Sequence, residues 1–134
     1  MTRPAPEPLR IRAGRAFTPT EVIPDAAVLV EDGRIAAVGP DARVPSPPGV
    51  TALDAGDRIL APGFIDLHVH GRAGHACGAS AAETLAVAAA LPATGVTSFL
   101  ATVAGQPDLD ALLRALAAAA EARGREGTGA RVLG

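Results

Sequence analysis

Along the first sixty residues, apolar and polar positions form short β-prone runs at residues 9–13, 27–31, 34–38, 50–53 and 58–60, separated by turn chemistry. This half predicts a β-meander. Its clearest element is VLVEDGRIAAVG, where Asp32-Gly33 lies between two runs and tolerates the positive φ angles of a tight hairpin. Pro45, Pro47, Pro48 and Gly49 break the chain before the next run, and residues 54–57, Asp-Ala-Gly-Asp, supply a second turn. Pro4, Pro6 and Pro8 remove donors and restrict their neighbours, so residues 1–8 are expected to be a disordered lead-in.

After residue 60 the period changes. Ser80 and Glu83 form a capping box: the serine oxygen can accept from the amide of Glu83, and the carboxylate can reach back to the amide of Ser80. The helix it opens runs to about Leu91 and is ended by Pro92 and Gly95. Residues 96–102, Val-Thr-Ser-Phe-Leu-Ala-Thr, are β-branched and aromatic enough for a buried strand. Leu109, Leu112, Leu113 and Leu116 then follow the i, i+3, i+4, i+7 spacing of an amphipathic helix ending near Gly124, with Arg114, Glu121 and Arg123 off the stripe. Residues 130–133 begin a further strand. Strand, helix, strand, helix, strand favours parallel β/α units. A closed barrel of such units takes ~250 residues; about two units are present, so the chain is expected to be the N-terminal part of something larger.

Composition narrows the function classes. With 134 residues, a net charge of −2 and a pI near 5.9, the chain has no basic field for nucleic acid or an anionic membrane. No eighteen-residue apolar run occurs and the N-terminus lacks an apolar leader segment. A single cysteine, Cys77, gives no disulfide framework and fits a reducing compartment, so the cytoplasm is the expected location.

Candidate chemistry sits in APGFIDLHVH, residues 61–70. Alternation in a strand sends His68 and His70 to one face with Asp66 and Phe64, and Ile65, Leu67 and Val69 to the other. Side chains at i and i+2 can converge on one ion, neutral imidazole suits zinc, iron or nickel, and Asp66 could orient the ligands. If this strand opens a β/α barrel, its C-terminal end faces the loops where such enzymes place their chemistry. The competing reading is a pair of half-buried histidines at a strand end. His75 and Cys77 lack a third orienting group for thiol catalysis, and Gly71, Gly74 and Gly78 lack the Gly-Lys-Ser/Thr ending of a phosphate loop, which leaves them as flexible loop geometry.

With Pro62, Gly63, Ile65, Asp66, His68 and His70 in the order Pro-Gly-x-Ile-Asp-x-His-x-His, the chain resembles the amidohydrolase superfamily over residues 9–134. Within it, the H-x-H-G start, a glycine-rich loop, a capped helix and Gly-Val-Thr-Ser-Phe-Leu-Ala-Thr at 95–102 are most similar to N-acetylglucosamine-6-phosphate deacetylases. The loop from Arg72 to Ala79 departs from those relatives in having no acidic residue. The resemblance implies an α/β fold: residues 1–60 as part of a small β-sandwich, and residues 61–134 as the first β/α units of an incomplete TIM-type (β/α)8 barrel. It further implies His68 and His70 as metal ligands, a divalent cofactor such as zinc or iron, an amino-sugar phosphate substrate, and a homodimeric full-length protein. The general acid/base aspartate is expected beyond Gly134, so no catalytic residue is assigned within the chain, and this chain alone is expected to be inactive. The alternatives are another amidohydrolase, of dihydroorotase or hydantoinase type, or a non-catalytic β/α fragment.

Overall fold

The computed structural model describes residues 7–125 and 129–134. Most of the expected lead-in, residues 1–6, lies outside the described residues; Pro8 is already tied in, since Thr51 donates its N–H to the Pro8 carbonyl at 2.9 Å. The chain divides into two compact units, one ending at Pro62 and one beginning at Gly63.

The first unit is a single mixed sheet of β1 (Leu9–Phe17), β2 (Val22–Glu31), β3 (Arg34–Pro40), β4 (Thr51–Asp54) and β5 (Ile59–Leu60). Its order is β3-β2-β1-β4, with β5 also pairing β1. Only β1, β2 and β3 form the expected antiparallel meander; β4 and β5 run parallel to β1. The proline-rich crossover carries the chain past β1 to its far edge, so the next strand cannot return as a hairpin partner. Asp32 (φ 50°) and Gly33 (φ 71°) make the tight turn. β1 and β2 both extend further toward their shared turn than the sequence pattern suggested, because Thr18 closes that turn: its Oγ1 accepts the amides of Thr20 and Glu21. Arg10 locks the crossover, donating to the Asp41 carboxylate at 2.7 Å and to the carbonyls of Asp41 and Val44. Two small apolar clusters hold the unit, Ala16, Ile23 and Ala26 with Leu60, and Ala27, Leu29 and Val44 with Ala37 and Val50.

The second unit is α/β. Its parallel sheet has β6 (Phe64–Val69) and β10 (Arg131–Val132) on either side of β9 (Val96–Ala101), with α1 (Ala81–Ala90) and α2 (Leu109–Ala122) in the crossovers. Between β6 and α1, β7 (Gly71–Arg72) and β8 (His75–Ala76) form a tight antiparallel hairpin through Ala73 (φ 52°) and Gly74 (φ 85°). The expectation of a merely flexible glycine loop is therefore corrected. A Cβ on Gly71 would strike the His75 carbonyl, so the two hairpin arms can close only around glycine.

The capping box is half made. Ser80 Oγ accepts from the amide of Glu83 at 3.0 Å, whereas the Glu83 carboxylate turns to His75 instead of to the Ser80 amide. After α1 a 3₁₀ turn over Leu91–Thr94 ends at Gly95 in the left-handed region (φ 80°). The core joins Val87 and Ala88 of α1 and Leu91 of the 3₁₀ turn to Phe99, Val96, Val132 and Ala122.

The leucine stripe of α2 does not face this core. Leu109, Leu113 and Leu116 are exposed and Leu112 is half-buried, whereas Ala115, Ala119 and Ala122 are the buried residues. α2 is apolar on two faces, so periodicity alone does not decide which turns inward. The alanine face is the one that tolerates close approach: a Cβ on Gly78 would lie 3.0 Å from the Ala115 carbonyl and 3.3 Å from its Cβ.

Candidate metal centre

β6 reaches the site along a close track beside β9. Phe64 donates its N–H to the Gly95 carbonyl at 2.9 Å, and Gly63 leaves room for the Thr97 side chain, which a Cβ there would overlap. The pairing with β9 shifts register between Asp66 and Val69, so the strand is irregular just where the histidines begin. Asp66 Oδ1 accepts the backbone N–H of His68 at 3.0 Å, which fixes the main chain of that histidine and does not touch its ring. Ile65 and Leu67 are exposed, and Val69 alone of the expected apolar face is buried.

The two imidazoles converge. His68 Nε2 and His70 Nε2 are 3.0 Å apart, with the rings perpendicular at 89° and their centroids separated by 4.7 Å. His70 Nδ1 lies 3.0 Å from the Thr102 carbonyl oxygen, which can only accept, so Nδ1 carries the proton and the Nε2 lone pair faces His68 Nε2. The residue that follows β9 thus orients the histidine that follows β6, and it also braces β6 itself: Thr102 donates its N–H to the Val69 carbonyl at 2.8 Å. On the other side Cys77 donates its N–H to the His70 carbonyl at 2.8 Å. This carbonyl-to-imidazole contact is the outer-shell support usual for ligating histidines. Sequence reasoning missed it because a backbone carbonyl has no residue signature; only the pairing of β6 with β9 reveals it.

The donor set fits a transition-metal ion. His68 and His70 would hold such an ion through their two Nε2 atoms, which already face one another at 3.0 Å. Among the described residues no third His, Cys, Asp or Glu joins the pair.

His75 and Cys77 do not form a nucleophile pair. Cys77 is buried, and that burial pushes its thiol upward from the ordinary 9.0, opposed by a hydrogen bond with the Thr102 backbone. His75 Nδ1 is 3.1 Å from Glu83 Oε2, with both side chains about two-fifths exposed.

Comparisons with known proteins bear on this geometry. The profile described as "Amidohydrolase family" matches residues 59–132, and one described as "Imidazolonepropionase-like composite domain, bacteria" matches residues 26–46. The chain is 44% identical over 72 residues to the adenine deaminase of Paracoccus denitrificans, covering 52% of this chain and 12% of that one. It is 42% identical over 83 residues to the dihydroorotase of Mycobacterium tuberculosis, covering 62% and 18%. A solved structure of an N-acetyl-D-glucosamine-6-phosphate deacetylase variant from Mycobacterium smegmatis, in complex with N-acetyl-D-glucosamine-6-phosphate, superimposes with a TM-score of 0.70 at 28% identity, covering 87% of this chain and 29% of that one. The chain therefore spans less than a third of the length of each of these proteins. The amidohydrolase profile covers more than half of the chain and includes β6 and both histidines, and on that match the chain belongs to the amidohydrolase family.

Proposed function

We propose that His68 and His70 are two ligands of a divalent metal ion, zinc or iron, in an enzyme that hydrolyses a carbon–nitrogen bond other than a peptide bond. The observation that carries this reading is the 3.0 Å approach of the two Nε2 atoms, with the Thr102 carbonyl holding the His70 proton on Nδ1. Such an ion supplies Lewis acidity toward a carbonyl and toward water. The chain's own residues then have distinct tasks. His68 and His70 present two neutral nitrogens, Thr102 keeps the second in the tautomer that can bind, and Asp66 holds the backbone from which the first projects. The remaining ligands and the acid/base aspartate are assigned to sequence beyond Gly134, and residues 61–134 to the opening β/α units of a barrel.

Within the family we favour deacetylation of N-acetylglucosamine 6-phosphate to glucosamine 6-phosphate and acetate, supported by the structural similarity to the mycobacterial deacetylase. The second reading is a cyclic-amide hydrolase or deaminase, supported by the dihydroorotase and adenine deaminase matches. A substrate panel on the full-length protein separates them: acetate release from the sugar phosphate supports the first, and turnover confined to dihydroorotate, hydantoins or adenine replaces it with the second. Zinc titration calorimetry tests the ligands without turnover. Loss of heat in the double variant His68→Ala/His70→Ala is expected, and an unchanged isotherm would sink the metal assignment.

A further inference from the structure

The β7–β8 hairpin carries a histidine that the metal pair does not use. It continues the site strand outward: Cys77 donates to the His70 carbonyl, Gly71 then pairs with Ala76, and Arg72 with His75. His75 therefore stands two rungs beyond His70, and at about 3.4 Å per antiparallel residue that is roughly 7 Å along the hairpin. Its ring is held. Glu83 abandons the second half of its capping box so that Oε2 meets His75 Nδ1 at 3.1 Å. A carboxylate oxygen accepts, so Nδ1 carries the proton and Nε2 offers a lone pair. Nε2 has no partner among the described residues, and the side chain is 42% exposed. The backbone beneath it is fixed by the tight Ala73-Gly74 turn and by the amide of Gly78, which donates to Thr84 Oγ1 at 3.1 Å. Arg72, opposite His75 in the hairpin, shares its face.

We propose that His75, oriented by Glu83, is a specificity-determining residue that accepts a hydrogen bond from a hydroxyl of the substrate held at the neighbouring His68–His70 site. It selects hydroxyl-bearing amides, as carbohydrates are, over hydroxyl-free cyclic amides. Once a bound substrate covers this exposed imidazole, an analogue lacking the donor leaves its lone pair without a partner, and that is the source of discrimination. This rests on the deacetylase reading above, and Glu83 acts only as a positioning residue.

The test uses the full-length protein with N-acetylglucosamine 6-phosphate. In His75→Ala, KM is expected to rise about tenfold with kcat within about twofold, as for the loss of one binding hydrogen bond felt equally in ground and transition states. His75→Gln, which places an oxygen near the former Nε2, should restore most of the affinity, while zinc content stays equal in all three proteins. In Glu83→Ala the imidazole ¹⁵N signals of His75 should lose the single-tautomer pattern and KM should rise in parallel. Sugar-phosphate turnover with a KM indifferent to His75→Ala overturns this inference and leaves the deacetylase reading standing. A wild-type protein that ignores the sugar phosphate and turns over dihydroorotate overturns both.

Discussion

At the residue scale, two glycines distinguish constrained backbone from open backbone. Gly71 closes the hairpin against the His75 carbonyl, whereas Gly105 has open space where a Cβ would stand. Gly71→Ala is expected to cost about 1–3 kcal/mol by overpacking, and Gly105→Ala to stay within about 0.5 kcal/mol. Thermal unfolding of the two variants reads the difference, and equal Tm values would refute the close approach. Cys77 gives a pH prediction. Its thiol is raised by burial, so between the ordinary 9.0 and the higher folded value the unfolded chain has lost the proton while the folded chain keeps it. Stability from this group is complete below 9.0 and declines as pH climbs through the folded value. Iodoacetamide should therefore modify native Cys77 much more slowly than the urea-unfolded chain at pH 9, and matching rates would show that the thiol is not protected. The histidine pair was legible from its i, i+2 spacing, since alternation alone puts both rings on one face. The carbonyl of Thr102 was not, because its role comes from strand pairing across 32 residues and not from its side chain.

At the element scale, the β/α order of the second unit was visible in the switch from turn-punctuated runs to a capped helix, and the predicted strands and helices form. What failed was the choice of face. Four leucines at helical spacing outweigh alanines on any hydropathy measure, yet Leu113 and Leu116 are 54% and 47% exposed while Ala119 and Ala122 are buried. Sequence periodicity reports that a helix is apolar on one side but does not know how close its neighbour must come. The first unit shows the same limit for strands: each run was readable, but the parallel pairing of β4 with β1 depends on where the proline crossover delivers the chain. The face assignment is testable. Leu113→Gln and Leu116→Gln are expected to change stability by no more than about 0.5 kcal/mol, and Ala119→Leu or Ala122→Leu to cost about 1–3 kcal/mol. Urea unfolding followed by circular dichroism distinguishes them, and the reverse ranking would mean that the leucine stripe is the buried face.

At the scale of the whole molecule, large apolar side chains of the second unit stand exposed on β6 and on α2. Phe64, Ile65 and Leu67 of β6 and Leu109, Leu113 and Leu116 of α2 are all exposed, and the three-stranded sheet leaves the outer edges of both β6 and β10 unpaired among the described residues. Large apolar patches and free strand edges both drive association. The 134-residue chain by itself should therefore self-associate at tens of micromolar. It should also bind zinc weakly, since among the described residues two imidazoles fall short of the three protein ligands that a catalytic zinc site ordinarily requires. The two expectations have separate origins, so they should respond to separate changes. Leu67→Lys with Leu113→Lys should lower the average mass in sedimentation equilibrium without altering the zinc isotherm, and His68→Ala should abolish the residual zinc heat without altering the mass. A chain that stays monomeric at 100 μM, a concentration on the order of that at which exposed patches ordinarily associate, would show that these faces are not adhesive. A submicromolar zinc affinity surviving in both variants would show that the ion is held somewhere other than by His68 and His70.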